Sequence, residues 1–132
     1  MNTNQVRFND EYASKTEWGR TLVNSALTVA IVIGQSVSDT SHNAIVNLGW
    51  EEIKLTHPVF VGDTLYAESR VISKRESLSR PYAGIVRVHT RGLNQHGDVC
   101  LSYTRSFLVY KRDAAKDIEH YPTAGEPWPD FE

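Results

Sequence analysis

From residue 44 to residue 111 the chain keeps returning to a two-residue period and shows no helical stretch between its strand-like segments. This restricts the topology, because parallel strands need long crossovers whereas antiparallel strands need only turns. Residues 44–50 and 51–55 read as strand with imperfect alternation, and His57-Pro58 breaks the run. After the turn Val61-Gly62-Asp63, residues 64–75 set Leu65, Ala67, Ser69 and Val71 against Thr64, Tyr66, Glu68 and Arg70. A loop over 76–82 contains Pro81, and residues 84–91 alternate again, with Val86 and Val88 opposed to Arg87 and His89. Asn94-Gln95-His96-Gly97-Asp98 has the composition of a hairpin turn, glycine taking the positive φ. The last strand spans 99–111, with Val99, Leu101, Tyr103, Phe107 and Val109 in phase.

Two helical segments precede the strands. Asn9-Asp10-Glu11 can cap a short helix that Gly19 ends. A longer helix is expected from Arg20 or Thr21 to about Ser36, with Leu22, Val23, Ala26, Leu27, Val29, Ala30, Ile31, Val32 and Ile33 apolar. These cover more than one stripe and several are β-branched, so the helix should be buried on most sides and held by packing rather than propensity. The expected class is α+β, an antiparallel sheet against one apolar helix. A sheet covers only one side of a helix, so a homodimer or higher oligomer is expected to cover more. Residues 1–112 are expected to form one domain. The tail 113–132, with Pro122, Pro127 and Pro129 and no periodicity, should be an extended segment packed by its aromatics or a loose end.

Charge and composition exclude several roles. A formal net charge of -2 provides no general attraction for nucleic acid or anionic lipid. The apolar run over 22–34 is too short and mixed to span a bilayer, and residues 1–10 lack the apolar core of a signal peptide. A cytoplasmic protein without membrane association is therefore expected. Cys100, the one cysteine, reads as a buried strand residue. His42, His57, His89, His96 and His120 are scattered, with no ligand-pair spacing, so no metal site is expected.

Four pieces together resemble the MaoC-like dehydratases and R-specific enoyl-CoA hydratases. They are the stretch from Asn9 to Arg20, the helix beginning Leu22-Val23-Asn24-Ser25-Ala26-Leu27-Thr28, the segment Pro58-Val59-Phe60-Val61-Gly62-Asp63-Thr64-Leu65, and Gly92 to Val99 followed by a long apolar strand. The resemblance touches most of residues 2 to 111 in order. It implies a hot-dog fold, a sheet wrapped around a central helix. It also implies hydration of a 2-enoyl-CoA, or dehydration of a 3-hydroxyacyl-CoA, in a tunnel at a dimer interface. No cofactor is implied beyond the coenzyme A carried by the substrate. Relatives usually place a strand and a helix before the catalytic loop, whereas Met1 here falls inside that loop. The expectation is a shortened form, or a missing strand supplied from elsewhere.

Carried over residue by residue, the family's catalytic aspartate falls on Asn2, its asparagine on Asn4 and its histidine on Arg7. An asparagine takes up no proton and an arginine stays protonated, so Arg7 cannot act as the general base. Asn2, Asn4 and Arg7 retain the capacity to orient water or to hold a carboxylate or carbonyl. His42 and His57 are the substitutes for the base to be tested. Asn24 and Ser25 match the helix start that faces the thioester, where backbone N–H groups can stabilise an enolate oxygen. Lys74, Arg75, Ser77, Ser79 and Arg80 form a basic, hydroxyl-rich patch suited to the phosphates of coenzyme A, and Arg80 to a substrate carboxylate. Asp63 reads as a local backbone cap. The function expected is a hydro-lyase, with branched or dicarboxylic acyl-CoAs among the substrates expected. The alternative is a catalytically impaired protein that still binds acyl-CoA thioesters. A thioesterase of this fold would carry a carboxylate on the central helix, and residues 21–37 contain none.

Overall fold

The alternating segments pair as their period requires. A computed structural model, which describes residues 2–114 and 122–131, contains four strands in one antiparallel sheet. They are β1 (Ala44–Leu55), β2 (Tyr66–Glu76), β3 (Ala83–Leu93) and β4 (Val99–Tyr110), in the spatial order β1-β4-β3-β2. The β3–β4 turn is built on Asn94, whose buried side chain accepts hydrogen bonds from the backbone of His96 and Asp98. Gly97 supplies the expected positive φ, 84°. The imperfect alternation of β1 has a physical cause. Its pairing with β4 shifts register three times, and Glu52 sits at a φ of 52° in the last of these irregularities.

Helix α1 (Asp10–Ser14) starts at Asn9, whose side chain accepts from the Tyr12 N–H, and buries Ala13. The long helix α2 (Ser25–Thr40) differs at both ends from the expected span. Residues 21–23 are extended instead of helical: Val23 N–H donates to the Val59 carbonyl and Val61 N–H to that of Thr21. Leu22 bridges Phe60 in the same way. Apolar β-branched residues suit this pairing as well as they suit a helix. Asn24 therefore becomes the N-cap, its side chain accepting from Ala26 N–H. At the other end the polar turn 38–40 continues the helix.

Within this chain α2 is not buried on most sides. Thr28, Val32 and Ser36, one residue in four, form the buried stripe, while Leu27 and Ile31 remain 52% and 38% exposed. Val32 packs on Leu101 and Tyr103, and the Ser36 hydroxyl meets the Tyr103 hydroxyl at 3.2 Å. Opposite Val32 lies Gly92, where an added Cβ would come within 2.6 Å of a Val32 methyl. The sheet wrapped on a central helix is the expected hot-dog arrangement. Cys100 is fully buried in β4, and that burial pushes its thiol pKa up, away from nucleophilic use. Trp128 and Phe131, in the described part of the tail, are exposed. His120 lies outside the described residues. Among the described residues, no helix is long and apolar enough to cross a membrane.

The close approach at Gly92 makes a specific demand. Gly92→Ala should destabilise the protein by about 1–3 kcal/mol through overpacking, measured by urea unfolding. Combined with Val32→Ala, the loss should be smaller than the sum of the two single losses, since the shortened side chain vacates the space.

Candidate functional site

The extended segment 21–23 delivers the N-terminus of α2 to the edge of a cleft of about 320 Å³. Its walls include Trp18, Leu22, Val23, Leu55, Pro58 and Val59, and it also takes in Arg7, Ser25, Thr28, Thr56 and His57. The apolar part of the wall comes from three separate stretches of chain. Trp18 tilts on Phe60 with ring centroids 6.5 Å apart, and the Arg20 guanidinium lies 3.7 Å above the same ring, which fixes that wall.

Arg7 is the charged group of this cleft. It sits in a single turn of 3-10 helix (Gln5–Arg7) capped by the Asn4 side chain. Its guanidinium donates to the Val23 carbonyl and approaches the Ser25 hydroxyl at 3.5 Å. Among the described residues no carboxylate pairs with it; Glu11, Glu51, Glu68, Glu76 and Asp98 pair with other side chains. At the start of α2, Ala26 N–H is taken by the Asn24 side chain and Thr28 N–H by the Asn24 carbonyl. Ser25 and Leu27 contribute the remaining first-turn N–H groups. A guanidinium beside a helix N-terminus concentrates positive potential and suits an anionic or strongly polarised oxygen.

His57, which also lines the cleft, precedes Pro58. Its Nδ1 lies 2.9 Å from the Pro58 carbonyl and its Nε2 lies 3.7 Å from Asp98 Oδ2. The loop that carries His57 is tied to the β3–β4 turn through Asp63. One carboxylate oxygen of Asp63 accepts from Phe60 N–H and the other from the Gln95 side chain, both at 2.9 Å. Gln95 in turn accepts from Thr64 N–H. These hydrogen bonds, the Phe60 backbone first, hold the Asp63 carboxyl below its ordinary pKa. The reading of Asp63 as a backbone cap holds, and it has the further effect of fixing His57 against Asp98.

The sequence-derived residues therefore divide. Arg7, Asn24 and Ser25 come together at the α2 N-terminus, although the Asn24 side chain is spent on capping. Asn2 and Asn4 serve local turns, accepting from Asn4 N–H and Val6 N–H, and neither lines the cleft. Lys74, Arg75, Ser77, Ser79 and Arg80 lie at the far end of β2 and in the loop after it. The cleft end of the sheet is the row Leu55–Leu101–Gly92–Ala67, and Lys74 is seven residues further along β2, about 23 Å at strand rise. There Arg75 donates to the Glu76 carbonyl and the Ser77 hydroxyl accepts from Arg80 N–H. Within one chain this patch does not join the cleft. His42 follows the C-terminus of α2, about 24 Å from Ser25 along the helix, so it does not approach the cleft. Asp98 went unmarked in the sequence, because only the folded turn brings it to His57.

A second concavity, about 350 Å³, is lined by Glu68, Ser69, Arg70, His89 and Arg91. Arg91 is already paired with Glu68, and His89 Nδ1 sits 3.1 Å from the Thr104 hydroxyl. With those groups engaged and few apolar walls, it is the weaker candidate for an acyl group.

Comparison with known proteins identifies the family of the chain. The family described as Mesaconyl-CoA hydratase matches residues 1–122. The chain is 45% identical over 106 residues to a mesaconyl-CoA hydratase of Cereibacter sphaeroides, covering 80% of this chain and 31% of that protein. To a beta-methylmalyl-CoA dehydratase of Chloroflexus aurantiacus it is 42% identical over 94 residues, covering 71% and 26%. A solved MaoC domain protein dehydratase from Chloroflexus aurantiacus superposes with a TM-score of 0.78 at 34% identity, covering 95% of this chain and 34% of that one. The chain thus spans about a third or less of the length of these relatives.

The tie through Asp63 predicts an acid-sensitive loop. A carboxyl whose folded pKa is depressed contributes stability above its unfolded pKa, near 3.8, and loses it as pH falls through the lower folded value. Asp63→Asn should lower stability at neutral pH and flatten the loss of stability below pH about 4. Urea unfolding midpoints measured across that range test this; parallel profiles for the two proteins would refute it.

Proposed function

Because this chain belongs to the mesaconyl-CoA hydratase family, within the MaoC-like hot-dog proteins, we propose that its cleft adds water to a carboxylated 2-enoyl-CoA or removes it from the corresponding 3-hydroxyacyl-CoA. One observation carries this reading: a guanidinium without a carboxylate partner among the described residues, placed at a helix N-terminus on a cleft with several apolar walls. Mesaconyl and methylmalyl groups are short, methyl-branched acyl chains ending in a carboxylate. The apolar walls suit the methyl-bearing carbons, and Arg7 suits the carboxylate by charge-assisted hydrogen bonds. The Ser25 N–H, with the positive end of α2 behind it, suits the thioester oxygen as it gains charge.

Arg7 thus changes role in comparison with the family's histidine. It binds substrate instead of moving a proton. Lys74, Arg75, Ser77, Ser79 and Arg80 belong to this reading only as a phosphate contact for a coenzyme A bound to a neighbouring hot-dog unit. The exposed Leu27 and Ile31 of α2, with Val46, Leu48 and Trp50 on edge strand β1, form the surface for such a neighbour. A second copy of the chain is the simplest source. A cytoplasmic location, where coenzyme A thioesters are made and consumed, belongs to the same reading.

Loss of the conjugated thioester absorbance, followed with crotonyl-CoA and with mesaconyl-CoA, tests the activity. Turnover should favour the carboxylated substrate. Arg7→Met should raise its KM at least tenfold, the ratio for about 1.4 kcal/mol, while leaving crotonyl-CoA little changed. Binding of both thioesters without turnover of either would support the alternative, an acyl-CoA-binding protein without the chemistry. Sedimentation at micromolar concentration should show a dimer or larger species; a monomer would contradict the proposed neighbour.

A further inference from the structure

A hydro-lyase needs a base for water and a proton for the α-carbon, and Arg7 supplies neither. The geometry points to His57, held by Pro58 and Asp98, as the group that carries the proton in this cleft. This inference rests on the hydro-lyase reading above and names the residue that reading lacks.

Three observations converge on it. First, His57 lines the same cleft as Arg7 and Ser25. Second, its tautomer is set by its surroundings. A carbonyl only accepts, so the 2.9 Å approach of Nδ1 to the Pro58 carbonyl requires the proton on Nδ1 and leaves the lone pair on Nε2. Third, Nε2 lies 3.7 Å from Asp98 Oδ2, so a proton taken up there meets a carboxylate. In the neutral ring this contact is no ion pair, and it becomes one only when Nε2 is protonated. Asp98 is itself fixed, since its Oδ2 accepts from the Asn94 side chain at 3.1 Å, while the buried Asn94 accepts from Asp98 N–H. A carbonyl that holds the proton on Nδ1 leaves Nε2 as the basic nitrogen of the ring.

The step balances with water as the only co-reactant. Nε2 of His57 takes a proton from water as the water oxygen bonds the β-carbon. The electron pair of the carbon–carbon double bond moves to the α-carbon and into the thioester carbonyl, whose oxygen faces the Ser25 N–H. The proton on Nε2 then passes to the α-carbon, restoring the carbonyl and the neutral imidazole. Dehydration is the reverse. His57 is the catalytic residue and Asp98 a positioning residue.

The experiment uses the full chain with mesaconyl-CoA. His57→Gln should lower kcat by about a hundredfold or more with KM within about twofold, as expected for removal of a general base. His57→Ala should regain turnover when imidazole is added, which a merely structural role would not produce. Asp98→Asn should lower kcat by less than His57→Gln with KM unchanged, and Asp98→Glu should recover part of that loss. Urea midpoints establish that each variant is folded. If the wild type turns over and folded His57→Gln keeps kcat within about twofold, His57 is overturned while the hydro-lyase reading stands. If the wild type binds mesaconyl-CoA but turns over neither thioester, both fall.

Discussion

The contact between Val32 and the bare backbone of Gly92 fixes the position of α2 on the sheet, and the cleft is a consequence of that position. With a side chain at residue 92 the helix would have to lift or slide, because the Val32 methyl already occupies the space. Seated there, α2 places Val32 on Leu101 and Tyr103 and brings Ser36 to the Tyr103 hydroxyl, so its rotation about its own axis is fixed as well. One end of a rigid helix settles the other. Ser25 and its N–H group are held where residues 21–23 and 59–61 pair, and the cleft opens at that pairing, with Arg7 and Trp18 also on its lining. Burying one fully apolar side chain contributes about 1.5–3 kcal/mol, so two or three such contacts suffice to hold the helix against small displacements.

Electrostatics then distinguishes the cleft from the rest of the surface. The ion pairs Lys15–Glu11, Arg87–Glu51 and Lys111–Glu76 are exposed, and pairs of that kind contribute about 0–1 kcal/mol each. They neutralise charge locally and favour no ligand. Arg7 is half-buried beside the positive end of α2, where two like-signed sources reinforce each other. The Val23 carbonyl satisfies part of its donor set without neutralising its charge. An incoming carboxylate gains from the guanidinium and from the helix at once, and in an apolar surrounding both interactions are stronger than in water.

Much of the sheet was legible in the sequence, since alternation in β2, β3 and β4 and the Asn94–Gly97 turn are local signals. The imperfect alternation of β1 was legible as a fact but not as bulges, because a bulge depends on the partner strand. The start of α2 was misplaced for a related reason: Thr21, Leu22 and Val23 satisfy a helical pattern, and only the distant residues 59–61 make them extended. Burial of the helix within the chain was overestimated, because apolar residues left exposed look the same in sequence as those facing the sheet. At the site, Arg7 and Ser25 became neighbours on paper only through the resemblance to a family. The basic residues 74–80 sit in sequence beside a strand that reaches the cleft, yet at its other end. Asp98 gave no signal, since its relation to His57 exists only once the turn and the loop are tied through Gln95 and Asp63.

The residues that pack the core and those that line the cleft are different sets. The core cluster of Val32, Leu101 and Tyr103 includes none of the residues that line the cleft. A change of side chain at position 7 bears first on the charge that the cleft presents. A substitution at Gly92 has the opposite character, costing packing energy first and site geometry as a result. The first kind of position can change the charge of the cleft without disturbing the seat of α2. His57 lines the same cleft, with its Nδ1 on the Pro58 carbonyl and its Nε2 near the Asp98 carboxylate, on a loop that Asp63 ties to Phe60 and Gln95.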